Sequence, residues 1–249
     1  MRRAGVCCTL SQQAEKRGRD IWGAELGEYP FKVIVEHWQD IAGGLLVTIE
    51  VSLLAMILSI VLGLALGVAR VLPSRPVRAF AGAYVEFFRN VPPLVHLFFF
   101  YFGLPRLGVV MSPLACGVLG LAMYHAGYVA EILRAGIEIV GRNQMEAGRA
   151  LGFSFLGAMR HAILPQAVWV VLPPLGNLYV SLFKTSALVA TIGVGDLMYE
   201  AEILHERTFR TFEVFAFAGL VYIALSMSLG AALHALEGYT QARRAGRVA

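Results

Sequence analysis

Charge is scarce in this chain. Only 15% of its 249 residues are charged and 57% are hydrophobic, where a soluble domain carries about 25% charged residues. Cysteine is scarce too. Cys7, Cys8 and Cys116 form no C-x-x-C pair and no Cys/His cluster, which argues against a disulfide scaffold and a zinc site; Cys116 falls in an apolar run and reads as packing. The phosphate-binding pattern G-x-x-x-x-G-K-[ST] occurs nowhere, so nothing points to nucleotide hydrolysis by this chain itself. No G-x-S-x-G elbow pairs Ser52, Ser59, Ser226 or Ser228 with a histidine base, which argues against an intramembrane serine hydrolase. Nothing calls for a cofactor, and no nucleic-acid partner is expected.

What the chain does have is long charge-free runs. Leu107 to Ala130, Ala162 to Phe183 and Val214 to Leu236 carry no charge, and Ile41 to Ala69 is interrupted only by Glu50. Each reaches the roughly 20 residues that cross a hydrocarbon core of about 30 Å. Val91 to Pro105 is shorter, and reaches that length if its helix begins upstream, near Val77 to Phe88. Only helices satisfy their backbone inside such runs. The reading is an all-α integral membrane protein with about five spans. A polar tail over residues 1–40 precedes the spans, which occupy 41–238, and a basic tail follows at 239–249. The tail is polar and of mixed charge without an apolar stretch, unlike a signal peptide, so the first apolar run is expected to act as the insertion signal.

Basic residues in loops set orientation. Five spans place Arg70, Arg75, Arg78, Arg134, Arg142, Arg149, Arg160, Arg243, Arg244 and Arg247 on one side, against Arg106, Lys184, Arg207 and Arg210 on the other. The gap holding Arg142 and Arg149, and the C-terminus, are therefore expected in the cytoplasm. Six basic residues of the first 40 (Arg2, Arg3, Lys16, Arg17, Arg19 and Lys32) run against that assignment.

That gap, residues 141–161, is polar and helix-prone. Asn143 suits an N-cap, with Glu146 three residues on to complete a capping box in the first turn. Ala147, Ala150 and Leu151 make a small apolar face, and Gly152 suits a left-handed cap. A short helix of this kind fits a cleft on another protein; the alternative is an interfacial helix between spans. Within the spans, Glu50 is an acid and so a functional candidate, for the pathway or for a subunit interface. Glu131 with Arg134, and Glu86 with Arg89, have i,i+3 spacing and read as structural pairs. Pro173 and Pro174 fall mid-span, where a proline kink serves helix packing or opens backbone groups to a polar solute. Asn177, Lys184, Thr185 and Ser186 follow, and are substrate-pathway candidates with Glu50; alternatively Lys184 snorkels to the headgroups. His96 and His125 read as packed and hydrogen-bonded, Tyr124 and Tyr128 as packing. Gly63 and Gly67 allow close helix contact.

Glu146-Ala147-x-x-x-x-Gly152, nine residues, then Ala162-Ile163-Leu164-Pro165 resembles the EAA loop of permease subunits of ATP-binding-cassette importers. The stretch from Tyr84 to Phe98 resembles the F-R-x-x-P-L-L-V-Q-L segment of the polar amino-acid uptake family within them (HisM/GlnP-like). Ala130-Glu131-Ile132 with Arg134-Ala135-Gly136-Ile137 is similar to the segment before that loop. Leu172 to Asn177, Lys184 to Leu188, Ile192-Gly193 and Thr208 to Glu213 are similar to those after it. The resemblance covers about 41–238. Gly148 stands where the family has Ala, which loosens a helix by up to about 1 kcal/mol; Pro93 and His96 stand for Leu and Gln.

The resemblance implies the type I (MetI-like) importer architecture. It makes Glu146, Ala147, Gly148, Arg149, Leu151 and Gly152 the docking site for a separate ATPase subunit. It also implies a second permease subunit, identical or paralogous, related by a two-fold axis, and an extracytoplasmic solute-binding protein. The bilayer in question is a bacterial inner membrane. The substrate implied is a polar amino acid, with glutamate or aspartate nearest by the R-N-V-P and T-S-A-L variants. An ion-coupled secondary transporter is the alternative, but it calls for an internal repeat and several embedded acids, and only Glu50 is clear.

Overall fold

A computed structural model describes residues 32–248. The polar tail expected over 1–40, with Cys7 and Cys8, lies outside the described residues as far as residue 31. Among the described residues there are helices and no strands. They are α1 (Lys32–Glu36), α2 (Trp38–Val71), α3 (Arg75–Asn90), α4 (Pro93–Phe98), α5 (Pro113–Ala150), α6 (Phe155–Ala158), α7 (Leu164–Thr185), α8 (Leu197–Thr208) and α9 (Thr211–Val248). A π-helical turn (Met159–Ile163) joins α6 to α7, and a tight helical turn (Ser186–Ile192) follows α7.

Four stretches are long and apolar enough to cross a membrane: Trp38–Val71, Pro113–Gly141, Phe155–Ile192 and Thr211–Ala235. The second span expected from the sequence is built differently. Val91 is extended (φ −93°, ψ 133°) and Pro92 likewise (φ −57°, ψ 141°), so α3 ends and α4 starts anew. Proline cannot donate to the preceding turn and forces its predecessor out of helical geometry. The expected continuous helix from about Val77 is thus a broken pair, and its apolar second half, Pro93–Leu107, is short. By contrast α7 runs helically through Pro173 and Pro174, so no open break forms there.

The first and third spans pack through the smallest residues of α2. Gly44, Thr48, Val51, Ser52, Ala55, Ser59, Gly63 and Gly67 are its buried face, one row at three- and four-residue spacing. A Cβ on Gly63 would stand 2.4 Å from Val129 Cβ, and one on Gly67 would stand 3.0 Å from the Ala130 carbonyl oxygen. The two glycines thus permit the close approach that their spacing suggests. Around this seam Val51, Ala55, Leu97, Leu121, Ala122, Val129, Leu182 and Val189 form the main core. Cys116 is buried within it. His125 is buried and hydrogen-bonded through Nδ1 to the Leu121 carbonyl at 2.8 Å.

The end of the molecule that holds Gly44 is tied by a buried acid. Asp196 N-caps α8 by accepting from the Tyr199 amide at 2.9 Å, and accepts from the Tyr222 hydroxyl at 3.2 Å. Beside it the Thr48 hydroxyl accepts from the Leu197 amide at 3.0 Å. Asp196 is fully buried, and burial lifts its carboxyl from 3.8 to about 6 against the two hydrogen bonds. A raised native value favours the protonated fold, so this contribution to stability is present below pH 4 and lost as pH rises through about 6. Asn at this position keeps the cap but cannot ionise. Asp196→Asn is therefore expected to flatten the decline in melting temperature between pH 4 and 6, read by intrinsic fluorescence of detergent-solubilised protein. An unchanged slope would assign that pH dependence to other groups.

Candidate functional site: a docking tip and a polar stripe on one helix

The helix α5 does not stop at the membrane. It continues from Pro113 to Ala150 without interruption, so the short separate helix expected to start at Asn143 does not exist. Gly141 alone does not break it, because Arg142, Gln144, Met145, Glu146 and Ala147 are good helix formers. Glu146 consequently sits near a helix C-terminus rather than in a first turn. The dipole there favours Arg149 instead.

The helix ends where the sequence places its stop. Gly152 has φ +80°, a conformation glycine adopts without a Cβ penalty. Its amide donates to the Arg149 carbonyl at 3.0 Å, and the Phe153 amide donates to the Gly148 carbonyl at 2.9 Å. This pair of bonds is the Schellman arrangement. Ser154 caps α6 by accepting from the Gly157 amide at 3.2 Å. The two arms of the turn meet at Gly148, where a Cβ would stand 3.0 Å from Ala158 Cβ. Gly148 is the buried member of the six residues expected to dock; Glu146, Ala147, Arg149, Leu151 and Gly152 are exposed. Leu151 is 79% exposed and Leu156 69%, with Phe153 beside them at 47%. The sequence reading missed Phe153 and Leu156. Their signal was present as apolar side chains flanking Gly152 in an otherwise polar gap.

The five pathway candidates are not brought together. Glu50 is exposed on the outward side of α2, on the same side as exposed Leu46, Leu53 and Ile57. Asn177 and Lys184 are exposed on α7, and the Thr185 hydroxyl donates back to the Ser181 carbonyl at 2.9 Å. Ser186 is fully buried and donates to the Phe183 carbonyl at 2.8 Å, a helix-end bond that leaves no surface for a solute. Among the described residues no hydrogen bond or ion pair links these five.

A different polar constellation lies on α5, within the apolar stretch Pro113–Gly141. Tyr124, Tyr128, Glu131, Arg134 and Glu138 recur at three- and four-residue spacing along α5. Arg134 Nε lies 3.1 and 3.2 Å from the Glu131 carboxylate oxygens, and Arg134 also pairs with Glu138. Arg70 from α2 pairs with the same Glu131, and Arg89 from α3 reaches to 3.9 Å of it. The expected Glu131–Arg134 pair therefore forms, as part of a larger cluster. The expected Glu86–Arg89 pair does not. Glu86 accepts from Asn90 at 3.2 Å, while the Arg89 guanidinium turns inward, 5.0 Å above the Tyr128 ring. Arg89 gains a cation–π contact there. Next to it the Tyr124 and Tyr128 hydroxyls are 3.2 Å apart. His96 stacks on Phe88 at 4.8 Å, and its ring centre is 6.0 Å from that of Tyr124. It is packed as expected, but neither ring nitrogen has a hydrogen-bond partner.

Residues 59–240 match the family described as binding-protein-dependent transport system inner membrane components. The chain belongs to that family. It is a permease subunit of the amino-acid ATP-binding-cassette importer type, not an enzyme. A Bacillus subtilis protein described as a probable glutamine transporter permease is 38% identical over 205 residues, covering 82% of this chain and 95% of the relative. A Rickettsia felis putative glutamine transport system permease is 36% identical, covering 75% of this chain and 86% of the relative. A solved amino acid transporter with histidines superposes with a TM-score of 0.79 at 34% identity, covering 84% of this permease and 98% of that chain. A methionine transporter shares the fold, with a TM-score of 0.62 at 17% identity.

In this permease, Glu131 is one quarter exposed and holds three helices together. Removing its charge leaves guanidiniums without a counter-ion. Glu131→Gln is expected to cost on the order of 2 kcal/mol, a buried-pair loss reduced by partial solvent access. The check is the melting temperature in detergent against Glu86→Gln, which is expected to stay near wild type. Equal melting of both variants would deny the cluster its structural role.

Proposed function

We propose that this permease carries a polar amino acid inward across a bacterial plasma membrane, driven by a separate ATPase that docks on the Gly152 tip. The observation that carries the reading is the tip itself. Leu151 and Phe153 follow the end of α5, beyond its apolar stretch, and Leu156 stands exposed beside them at the start of the next one. Clustered exposed apolar side chains of this kind mark a contact surface. Glu146, Arg149 and Arg160 around them supply a polar rim that fixes register. The chain lacks a phosphate-binding loop of its own, so ATP hydrolysis belongs to the partner.

The excess of basic residues in the loops on the side of the tip supports a cytoplasmic location for it. Two such subunits, identical or paralogous, would enclose the pathway about a two-fold axis. A solute-binding protein would deliver cargo at the opposite end, where α7 presents Asn177 and Lys184. The polar stripe on α5 then faces the pathway rather than lipid, since charged groups inside a membrane face water or protein. The relatives' glutamine names support an amide side chain as the first cargo, ahead of glutamate or aspartate.

Co-purification of the permease with its ATPase tests the docking role. Gly152→Asp forces a side chain onto φ +80° and places a charge at the centre of the tip. The variant is expected to insert normally but to lose the stoichiometric ATPase subunit. Retention of the ATPase at wild-type ratio would show that docking occurs elsewhere.

A further inference from the structure

We infer that Arg89, with Tyr128 beside it, forms a site for the α-carboxylate of the transported solute; the inference rests on the amino-acid reading above and names the group of the cargo that is held. Three guanidiniums, from Arg70, Arg89 and Arg134, meet two carboxylates, from Glu131 and Glu138. One positive charge is therefore in surplus. It belongs to Arg89: the Glu131 oxygens are taken at hydrogen-bond distance by Arg70 and Arg134, and Arg89 stays at 3.9 Å. A surplus cation in this setting is unfavourable unless an anion is available to it. Its side chain remains 35% exposed, so the guanidinium is reachable.

A second observation is independent of charge. His96 is 96% buried, reading 4% exposed, and both its ring nitrogens lack a hydrogen-bond partner. Arg89 Nε is likewise buried and unpartnered. Buried polar atoms are almost always paired, and each orphan is costly. Here three orphan atoms stand on one connected run of contacts: Arg89 over Tyr128, Tyr128 to Tyr124, and Tyr124 to His96. Their chemistry is complementary to a carboxylate. The guanidinium offers the planar two-point fork that a carboxylate accepts, and the Tyr128 hydroxyl offers a further donor. The side chain of the cargo is not read by this cluster, which suits a site that grips the group common to all amino acids.

Binding of tritiated glutamine to the purified permease–ATPase complex, without the solute-binding protein, tests the site. Wild type is expected to bind saturably. Unlabelled glutamate is expected to compete, and 4-aminobutanamide, which is glutamine without its α-carboxylate, is expected to fail. Arg89→Gln is expected to weaken binding at least tenfold and Tyr128→Phe a few-fold, with Arg78→Gln unchanged. Should Arg89→Gln fail to assemble with the ATPase, Arg89→Lys decides: it keeps the charge and loses the fork, and is expected to weaken binding several-fold at full site number. Unchanged affinity in either Arg89 variant, or equal competition by the amide lacking a carboxylate, overturns the site. Absence of binding by a wild-type complex that still transports glutamine overturns the site alone. A complex that transports no amino acid overturns the functional reading and the site with it.

Discussion

One carboxylate organises the membrane half of this permease nearest the docking tip. Glu131 stands inside a span and receives Arg134 from its own helix, Arg70 from α2 and the more distant Arg89 from α3. Neither sign is tolerable alone in that setting, so the three helices are held at one relative position by mutual neutralisation. The small-residue seam of α2 complements this. Gly63 and Gly67 leave room for Val129 and Leu133 and let the backbones of α2 and α5 come close, and Arg70, one turn beyond Gly67, is then within reach of Glu131. Packing sets the distance and the ion cluster sets the register.

The same helix carries this cluster and leads to the Gly152 turn. Because α5 continues without a break from Pro113 to Ala150, a displacement of the Gly152 turn cannot be absorbed in a flexible linker. The same unbroken helix leads from the turn to Glu138, Arg134 and Glu131. The Schellman bonds at Gly152 and the close approach of Gly148 to Ala158 tie the turn to the following arm. Under the proposed docking of an ATPase on the tip, this continuity is the route by which the tip and the polar stripe would be coupled. The break that does exist, at Val91 and Pro92, lies beside Arg89, where two helix segments can tilt separately.

Where the sequence was legible, the cause was local. Charge-free runs located four spans, and the left-handed turn at Gly152 followed from one residue's conformational freedom. The i,i+3 spacing of Glu131 and Arg134 located one pair. The reading failed where tertiary context decided. Asn143 has every mark of an N-cap, yet a helix already in progress overrides a local start signal. Arg89 has a suitable partner in Glu86 one turn away, yet it turns to a carboxylate and an aromatic ring on another helix. Ser186 looked available to a solute and is buried by the turn that ends the fourth expected span. Arg70 could not be joined to Glu131 from the chain alone, because 61 residues separate them.

Motion of the tip, powered by ATP in a partner subunit, is proposed to drive the solute past the polar stripe. The most direct measurement is uptake of tritiated glutamine into proteoliposomes that hold the purified permease–ATPase complex, with the solute-binding protein supplied outside. Accumulation that requires ATP on the tip side, and that ignores imposed proton or sodium gradients, is the result this account requires. Uptake sustained by an ion gradient without ATP would contradict it.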